Sequence, residues 1–335
     1  MKILFLGGTR FLGRHAVQAA LARGHEVTLF NRGESGPGLF PEAEHLAGDR
    51  TADLSALRGR RWDAVVDTSA YLPRVARMAA EALADSAERY LFVSSIAVYR
   101  VDVPRAIGDD SPTVELEDPD TEEVTPRSFG GMKLLCERAV EAAFPGRATI
   151  VRPGLLVGPY DDLGRFRYWL LRIAEGGEVL APGEPERPWQ LMDARDLAGW
   201  MVRMLEDGTA GTFLAPGPYL EWTAGQVLEA CREASGSDAR FTWVEDVFLW
   251  EHGVRPWVGL PFWVAPPPDP WPDPHRVPVD RSVAAGLTFR PLEETVRDSL
   301  AYELSRPDAE TIVDEPVGIT REHEREVLEA WHRAE

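Results

Sequence analysis

The first sixteen residues, MKILFLGGTRFLGRHA, leave this chain few ways to fold. Lys2 to Leu6 reads as a short strand without polar interruption after Lys2, the pattern of a strand buried on both faces of a parallel sheet, and it runs straight into Gly7 and Gly8. From Phe11 onward Leu12, His15, Ala16, Ala19, Ala20 and Leu21 recur at helical spacing, so Gly7 to Gly13 joins a strand to a helix start. Such a start presents unpaired backbone N–H groups and the positive end of a dipole, and glycines remove the side chains that would hold a pyrophosphate away. The spacing is that of a dinucleotide fingerprint with Arg10 in place of the middle glycine. A second strand, Glu26 to Phe30, ends about twenty residues on in Asn31 and Arg32, where such a fingerprint has its ribose-reading residue.

Strand and helix alternate through the first half. Strands are expected at 2–6, 26–30, 43–47, 63–67, 89–94 and 148–152, with helices near 12–23, 73–86 and 129–143. The expected fold class is α/β, a Rossmann-type doubly wound parallel sheet with a smaller C-terminal lobe. Residues 101–126 interrupt the alternation with four prolines and a dense acidic run, a surface loop that joins the Ser94-Ser95 strand to the Lys133 helix. Later elements are expected at 193–206 (helix), Gly211 to Leu214 (strand), Thr223 to Ala234 (helix) and Phe289 to Leu304 (helix). Residues 256–278, with nine prolines, read as an extended loop.

Several segments together carry a resemblance. GGTRFLG, YLFVSSIAVY at 90–99, the lysine of SFGGMK at 128–133, RPGLLVGPY at 152–160 and QLMDARDLAGW at 190–200 resemble the extended short-chain dehydrogenase/reductase family, the NAD(P)-dependent epimerase/dehydratases. The GGTRFLG form is similar to an atypical branch that includes chloroplast stem-loop-binding proteins. The resemblance implies a dinucleotide-binding Rossmann domain over 1–152 with 190–215 returning to it. It further implies a substrate-binding lobe over 153–189 and 216–305, and 306–335 is left as a charged helical tail.

Carried over position by position, the resemblance places Gly7, Gly8, Thr9, Arg10, Phe11, Leu12 and Gly13 around the pyrophosphate. Asn31 and Arg32 fall at the adenosine ribose, Asp49 at the adenine edge, and Thr68, Ser69 and Pro153 along the cofactor. An acidic residue after the second strand would hold a ribose 2′-OH, whereas arginine accepts a 2′-phosphate, so Asn31-Arg32 favours NADP over NAD. In the family a serine or threonine and a Tyr-x-x-x-Lys pair move the proton of the substrate oxygen, the lysine lowering the tyrosine pKa and holding the ribose. Ser95 matches the serine and Lys133 the lysine, but the position four before Lys133 is Phe129. Either the chain has lost the phenol naturally or by deliberate substitution, or another group such as Ser95, Ser128, Tyr99 or Asp67 moves the proton. Two readings stay open. One is an NAD(P)-dependent reductase, epimerase or dehydratase acting on a sugar or nucleotide-sugar-like carbonyl or secondary alcohol. The other is a catalytically silent NADP(H)-binding regulatory protein.

In the second lobe, Arg165, Arg167 and Arg187 lie near several tryptophans and are candidates for a substrate diphosphate. The formal charge of −19 disfavours nucleic acid and anionic membrane as partners. No run of eighteen apolar residues suggests a span. Two cysteines and seven histidines without ligand spacing point to no disulfide and no metal, which suits a reducing cytoplasm. The expected partner is a small-molecule substrate, with a homodimer left open.

Overall fold

The computed structural model describes residues 1–100, 107–264, 273–306 and 317–334. In chain order the elements begin with β1 (Lys2–Leu6), α1 (Phe11–Ala22), β2 (Glu26–Asn31), β3 (Glu44–Ala47), β4 (Trp62–Asp67) and α2 (Pro73–Leu83). There follow β5 (Ala87–Val93), α3 (Phe129–Ala143), β6 (Ala148–Pro153), β7 (Leu155–Val157), α4 (Arg165–Ala174), β8 (Glu178–Pro182) and β9 (Leu191–Asp193). Then come α5 (Ala194–Asp207), β10 (Gly211–Ala215), α6 (Ala224–Ser235), β11 (Arg240–Val244) and α7 (Asp246–Glu251). The last are α8 (Asp280–Ala284), α9 (Leu292–Leu304) and α10 (Arg321–Ala334).

The chain divides into two compact units. The first comprises Met1–Leu155, Ala194–Gly217 and Val277–Phe289; the second comprises Leu156–Asp193, Pro218–Arg276 and Arg290–Glu335. The stretch Val277–Phe289 therefore belongs with the sheet.

The first unit is a seven-stranded sheet in the order β10-β6-β5-β4-β1-β2-β3. Every pairing is parallel, as the unbroken apolar strands require: Ile3, Leu4, Phe5 and Leu6 are wholly buried. Helices flank the sheet. Ala76, Ala79, Ala80 and Leu83 of α2 and Cys136 and Val140 of α3 join Leu4, Val65, Tyr90 and Ile150 in one buried cluster. Each large aliphatic side chain so buried contributes roughly 1.5–3 kcal/mol. In a parallel sheet all carboxyl ends lie along one edge, and the strand order reverses between β1 and β4, the place where ligands bind in doubly wound sheets.

In the second unit, β8 and β11 pair in parallel and α4, α6 and α9 pack on one another. Trp169, Trp189, Phe166 and Phe262 form a buried aromatic cluster there. The α6 start at Thr223 has a full capping box with Gln226, and Gly236 ends the helix in the left-handed region at φ 63°. Helix α4 escapes the sequence reading because Arg165, Arg167 and Arg172 interrupt its apolar positions, and strands β8 and β11 because each is only five residues long. Of the proline-rich stretch, 265–272 lies outside the described residues, Trp271 with it, as does 307–316 of the tail.

Candidate functional site

Glycine shapes the β1–α1 turn in two ways. Gly7 and Gly8 have φ of +105° and +90°, where a side chain is strained. Gly13 serves close packing: a Cβ there would sit 3.0 Å from Thr68 Oγ1 and 3.1 Å from Gly8 Cα. Arg10, the exposed residue before α1, makes no side-chain cap, and no acid stands in the first turn, so the helix start is electrostatically open to an anion. Phe11 and Leu12 are buried packing residues. Asn31 ties the turn to β2, donating from Nδ2 to Gly7 O at 3.1 Å while its Oδ1 accepts from Gly33 N at 2.9 Å. Thr9 Oγ1 and Ser35 Oγ are 2.8 Å apart, which folds the β2–β3 loop back over the glycines.

Arg32 is exposed and pairs with Glu34 at 3.0 Å. Asp49, also exposed, accepts from Thr51 N and Oγ1 at 2.8 and 2.7 Å, bonds that hold its carboxyl below the ordinary value. Thr68 and Ser69 face the glycine turn: a Cβ on Gly7 would meet Ser69 Oγ at 3.1 Å, and Ser69 donates to Leu6 O at 2.9 Å. Behind them Arg50 forms a two-pronged pair with buried Asp67, which also accepts from Tyr90 Oη at 2.8 Å. Arg50 is not legible from local pattern; its signal is Asp67 closing the apolar run Ala64-Val65-Val66, a buried carboxylate that demands a cation. Pro153 ends β6, buried beside Ala215 of β10.

The second group gathers around α3. Ser95 caps the short 3₁₀ turn Ile96–Val98, its Oγ accepting from Ala97 N at 3.1 Å, so the hydroxyl proton is available to donate. Helix α3 starts against that turn, and a Cβ at Gly130 would overlap the Ala97 carbonyl oxygen. Phe129 is the first residue of α3, and Lys133 lies one turn on along the same face. Lys133 is 4% exposed, and its Nζ donates to Val93 O at 2.6 Å and Ala70 O at 2.9 Å. Burial brings its pKa down to about 8, with Cys136, Asp67 and Glu137 pulling the other way. The ammonium also lies 4.2 Å from the Phe92 ring centroid.

Of the alternative proton carriers, Ser128 and Asp67 are closed by their hydrogen bonds, and Tyr99 is buried against Arg152. Tyr99 Oη accepts from Arg152 at 2.6 Å, and that arginine is clamped by Glu137 at 2.9 and 2.6 Å. Ser128 Oγ donates to Glu123 O at 2.6 Å and accepts from Thr125 N at 2.8 Å. Asp67 is closed by Arg50 and Tyr90. The structure instead brings Tyr71, which the sequence reading passed over, beside Phe129 with ring centroids 6.0 Å apart.

In the second unit the three arginines part ways. Arg187 holds Asp246 in a two-pronged pair at 2.8 and 2.7 Å, and Trp263 Nε1 donates to the same carboxylate at 2.6 Å. Arg167 pairs with Glu303. Arg165, the first residue of α4, is largely buried, and burial lowers its pKa against the pull of Asp161. Trp169, Trp189 and Trp263 are core residues, and Trp250 lies under the Arg255 guanidinium. Among the described residues no cluster of metal-ligating side chains occurs, and no helix is long and apolar enough to cross a membrane.

The carboxyl edge of the sheet suits a dinucleotide. Gly7, Gly8 and Gly13 form a turn that a Cβ would fill, and Ser94 Oγ, at the end of β5, is a buried polar atom with no protein partner. Known proteins agree with this reading of the fold. The chain is 28% identical over 254 residues to a chloroplast stem-loop binding protein of 41 kDa b from Arabidopsis thaliana, covering 70% of this chain and 63% of that protein. Its fold matches the Bordetella bronchiseptica enzyme WbmH in complex with NAD+ at a TM-score of 0.69 and 18% identity, over 90% of this chain and 98% of that one. It also matches the UDP-glucuronic acid 4-epimerase from Bacillus cereus in complex with NAD at 0.67 and 15%, over 92% and 99%. Residues 3–214 match the model of the NAD dependent epimerase/dehydratase family, and the chain belongs to that family.

Proposed function

We propose that this chain is an NAD(P)-dependent reductase or epimerase acting on a carbonyl or secondary alcohol of a sugar or nucleotide-sugar-like substrate, with NADP the preferred cofactor. The observation that carries the reading is Lys133. An ammonium buried against two backbone carbonyls, in register with Ser95 and behind a glycine turn, has no structural economy unless its charge is used. The glycine turn and the start of α1 would hold the pyrophosphate, Asn31 and Arg32 the adenosine ribose, and Lys133 the nicotinamide ribose. Bound there, the dinucleotide supplies or accepts a hydride. Arg32 and Arg10 would take a 2′-phosphate, Arg32 leaving Glu34 to do so. Ser95 orients the substrate oxygen by its free O–H.

Phe129 is the observation that favours the second reading, a silent dinucleotide-binding protein. The test is direct. Binding of NADPH and NADH is followed by nicotinamide fluorescence, and NADPH oxidation is followed with keto-sugars and nucleotide-keto-sugars for the wild-type chain and Phe129→Tyr. Turnover by the wild-type chain supports the enzyme, and turnover by the tyrosine variant alone supports the silent protein. Absence of dinucleotide binding overturns both.

A further inference from the structure

We propose that Tyr71 supplies the phenol for proton transfer that position 129 lacks. The inference rests on the enzyme reading above and names the group that completes it. One face of α3 carries Phe129, Lys133 and Cys136 at positions i, i+4 and i+7, and all three meet the loop after β4. Lys133 Nζ donates to Ala70 O, and the Cys136 thiol donates to Tyr71 O at 3.7 Å, so the backbone on both sides of the Tyr71 Cα is held by α3. The Tyr71 ring is then laid beside Phe129, with centroids 6.0 Å apart and planes tilted by 43°. Lys133 Nζ lies 5.4 Å from the Tyr71 ring centroid. A phenol thus stands next to the ring that carries none, within the field of the same ammonium that would stabilise its phenolate.

Exposure separates Tyr71 from its neighbours. It is 50% exposed, whereas Tyr90 and Tyr99 are buried. A large aromatic left half in water at the carboxyl edge of the sheet is placed to meet a ligand and to recover protons from solvent. In the reductive direction the Tyr71 O–H bond breaks and its proton passes to the substrate carbonyl oxygen. The carbonyl carbon takes its hydride from the reduced nicotinamide dinucleotide, and water returns a proton to the phenolate. In the oxidative direction the phenolate accepts the alcohol proton. Phe129 then serves as the apolar wall that holds Tyr71 in place.

The experiment compares wild type, Tyr71→Phe, Phe129→Tyr and the double variant Tyr71→Phe/Phe129→Tyr. NADPH binding is read by fluorescence and NADPH oxidation with keto-sugars and nucleotide-keto-sugars. The expected result is a fall in kcat of about 10²–10⁴-fold in Tyr71→Phe with NADPH affinity unchanged, and recovery in the double variant, where the phenol is moved to the neighbouring ring. A second readout needs no substrate. The ultraviolet difference titration of wild type against Tyr71→Phe isolates the Tyr71 phenol, with Lys133 and Cys136 the groups facing it from α3. Its midpoint should respond to Lys133→Met, since the Lys133 side chain lies over the Tyr71 ring. Unchanged turnover in Tyr71→Phe, or a Tyr71 midpoint that ignores Lys133→Met, overturns the proposal while leaving the enzyme reading intact. Failure of the wild-type chain to bind NADPH or NADH would instead remove the enzyme reading, and the proposal with it.

Discussion

Arg50 and Asp67 meet behind the glycine turn in a two-pronged ion pair with both contacts at 2.6 Å, the arginine side chain 12% exposed and the aspartate wholly buried. Arg50 follows β3 and Asp67 ends β4, and Arg50 Nη1 also reaches Ser69 Oγ at 2.9 Å. The pair therefore fixes the loop that bears Thr68, Ser69 and Tyr71. Asp67→Asn would leave a buried arginine without its counter-charge, and a loss of about 3–5 kcal/mol in urea unfolding is expected. Burial pushes the Asp67 carboxyl up, but Arg50 and the hydrogen bonds outweigh it and hold the folded value below the ordinary one. A depressed carboxyl stabilises above its unfolded pKa and loses that contribution as the pH falls through the folded one. The wild-type chain should thus lose stability on acidification, and Asp67→Asn should flatten that arm; an equally steep acid limb in the variant would contradict the assignment.

Gly130→Ala is the sharpest test of how α3 is seated. Its methyl would strike the Ala97 carbonyl oxygen, a backbone atom that cannot rotate away. Overpacking of this kind costs about 1–3 kcal/mol or more, and the shift would separate Phe129 and Lys133 from Ser95. A lowered thermal midpoint together with weaker dinucleotide binding is expected. A variant with wild-type melting and binding would show that α3 does not need this close approach.

Arg32→Ala distinguishes the two dinucleotides. A charge-assisted bond to a 2′-phosphate is worth about 1.5–3 kcal/mol, so NADPH affinity should fall roughly 10- to 100-fold while NADH affinity changes little. Glu34→Gln, which frees Arg32 from its 3.0 Å partner, should tighten NADPH. Equal losses for both dinucleotides in Arg32→Ala would remove the 2′-phosphate role.

Asp161 is a buried carboxyl whose pKa burial pushes up to about 7, with Asp162 and Glu303 adding to the rise and Leu163 N and Arg165 opposing it. Since its folded value lies above the unfolded one, the folded state binds more protons between about pH 4 and 7, and stability falls as pH rises through that window. Asp161→Asn keeps the acceptor for Leu163 N and discards the charge. It should stabilise the chain at pH 8 by on the order of 4 kcal/mol and have little effect at pH 4. Chemical unfolding at the two pH values is the measurement, and a variant no more stable than wild type at pH 8 would refute it.

What the sequence by itself determined is local. An apolar strand, two glycines and a helix period place the β1–α1 turn at Gly7 to Gly13, because buried parallel strands and amphipathic helices write their periods directly into the chain. The same holds for α3, whose expected span 129–143 is the observed one, and for Lys133 one turn beyond Phe129. Asn31 and Arg32 could be placed at the end of β2 by counting alone.

What only the tertiary structure decided is which side chains meet across the fold. Arg187 reads as a ready anion receptor until folding sets Asp246, 59 residues away, against it. Tyr99 and Ser128 read as proton carriers until Arg152 and the 123–128 turn claim them. Tyr71 lies 58 positions before Phe129, and no periodicity within one element links the two. Their contact arises because parallel strands deliver both loops to one edge, and because α3 packs through a glycine that admits no side chain. Ion pairs, clamps and ring contacts of this kind depend on distances between distant segments, which local pattern does not encode.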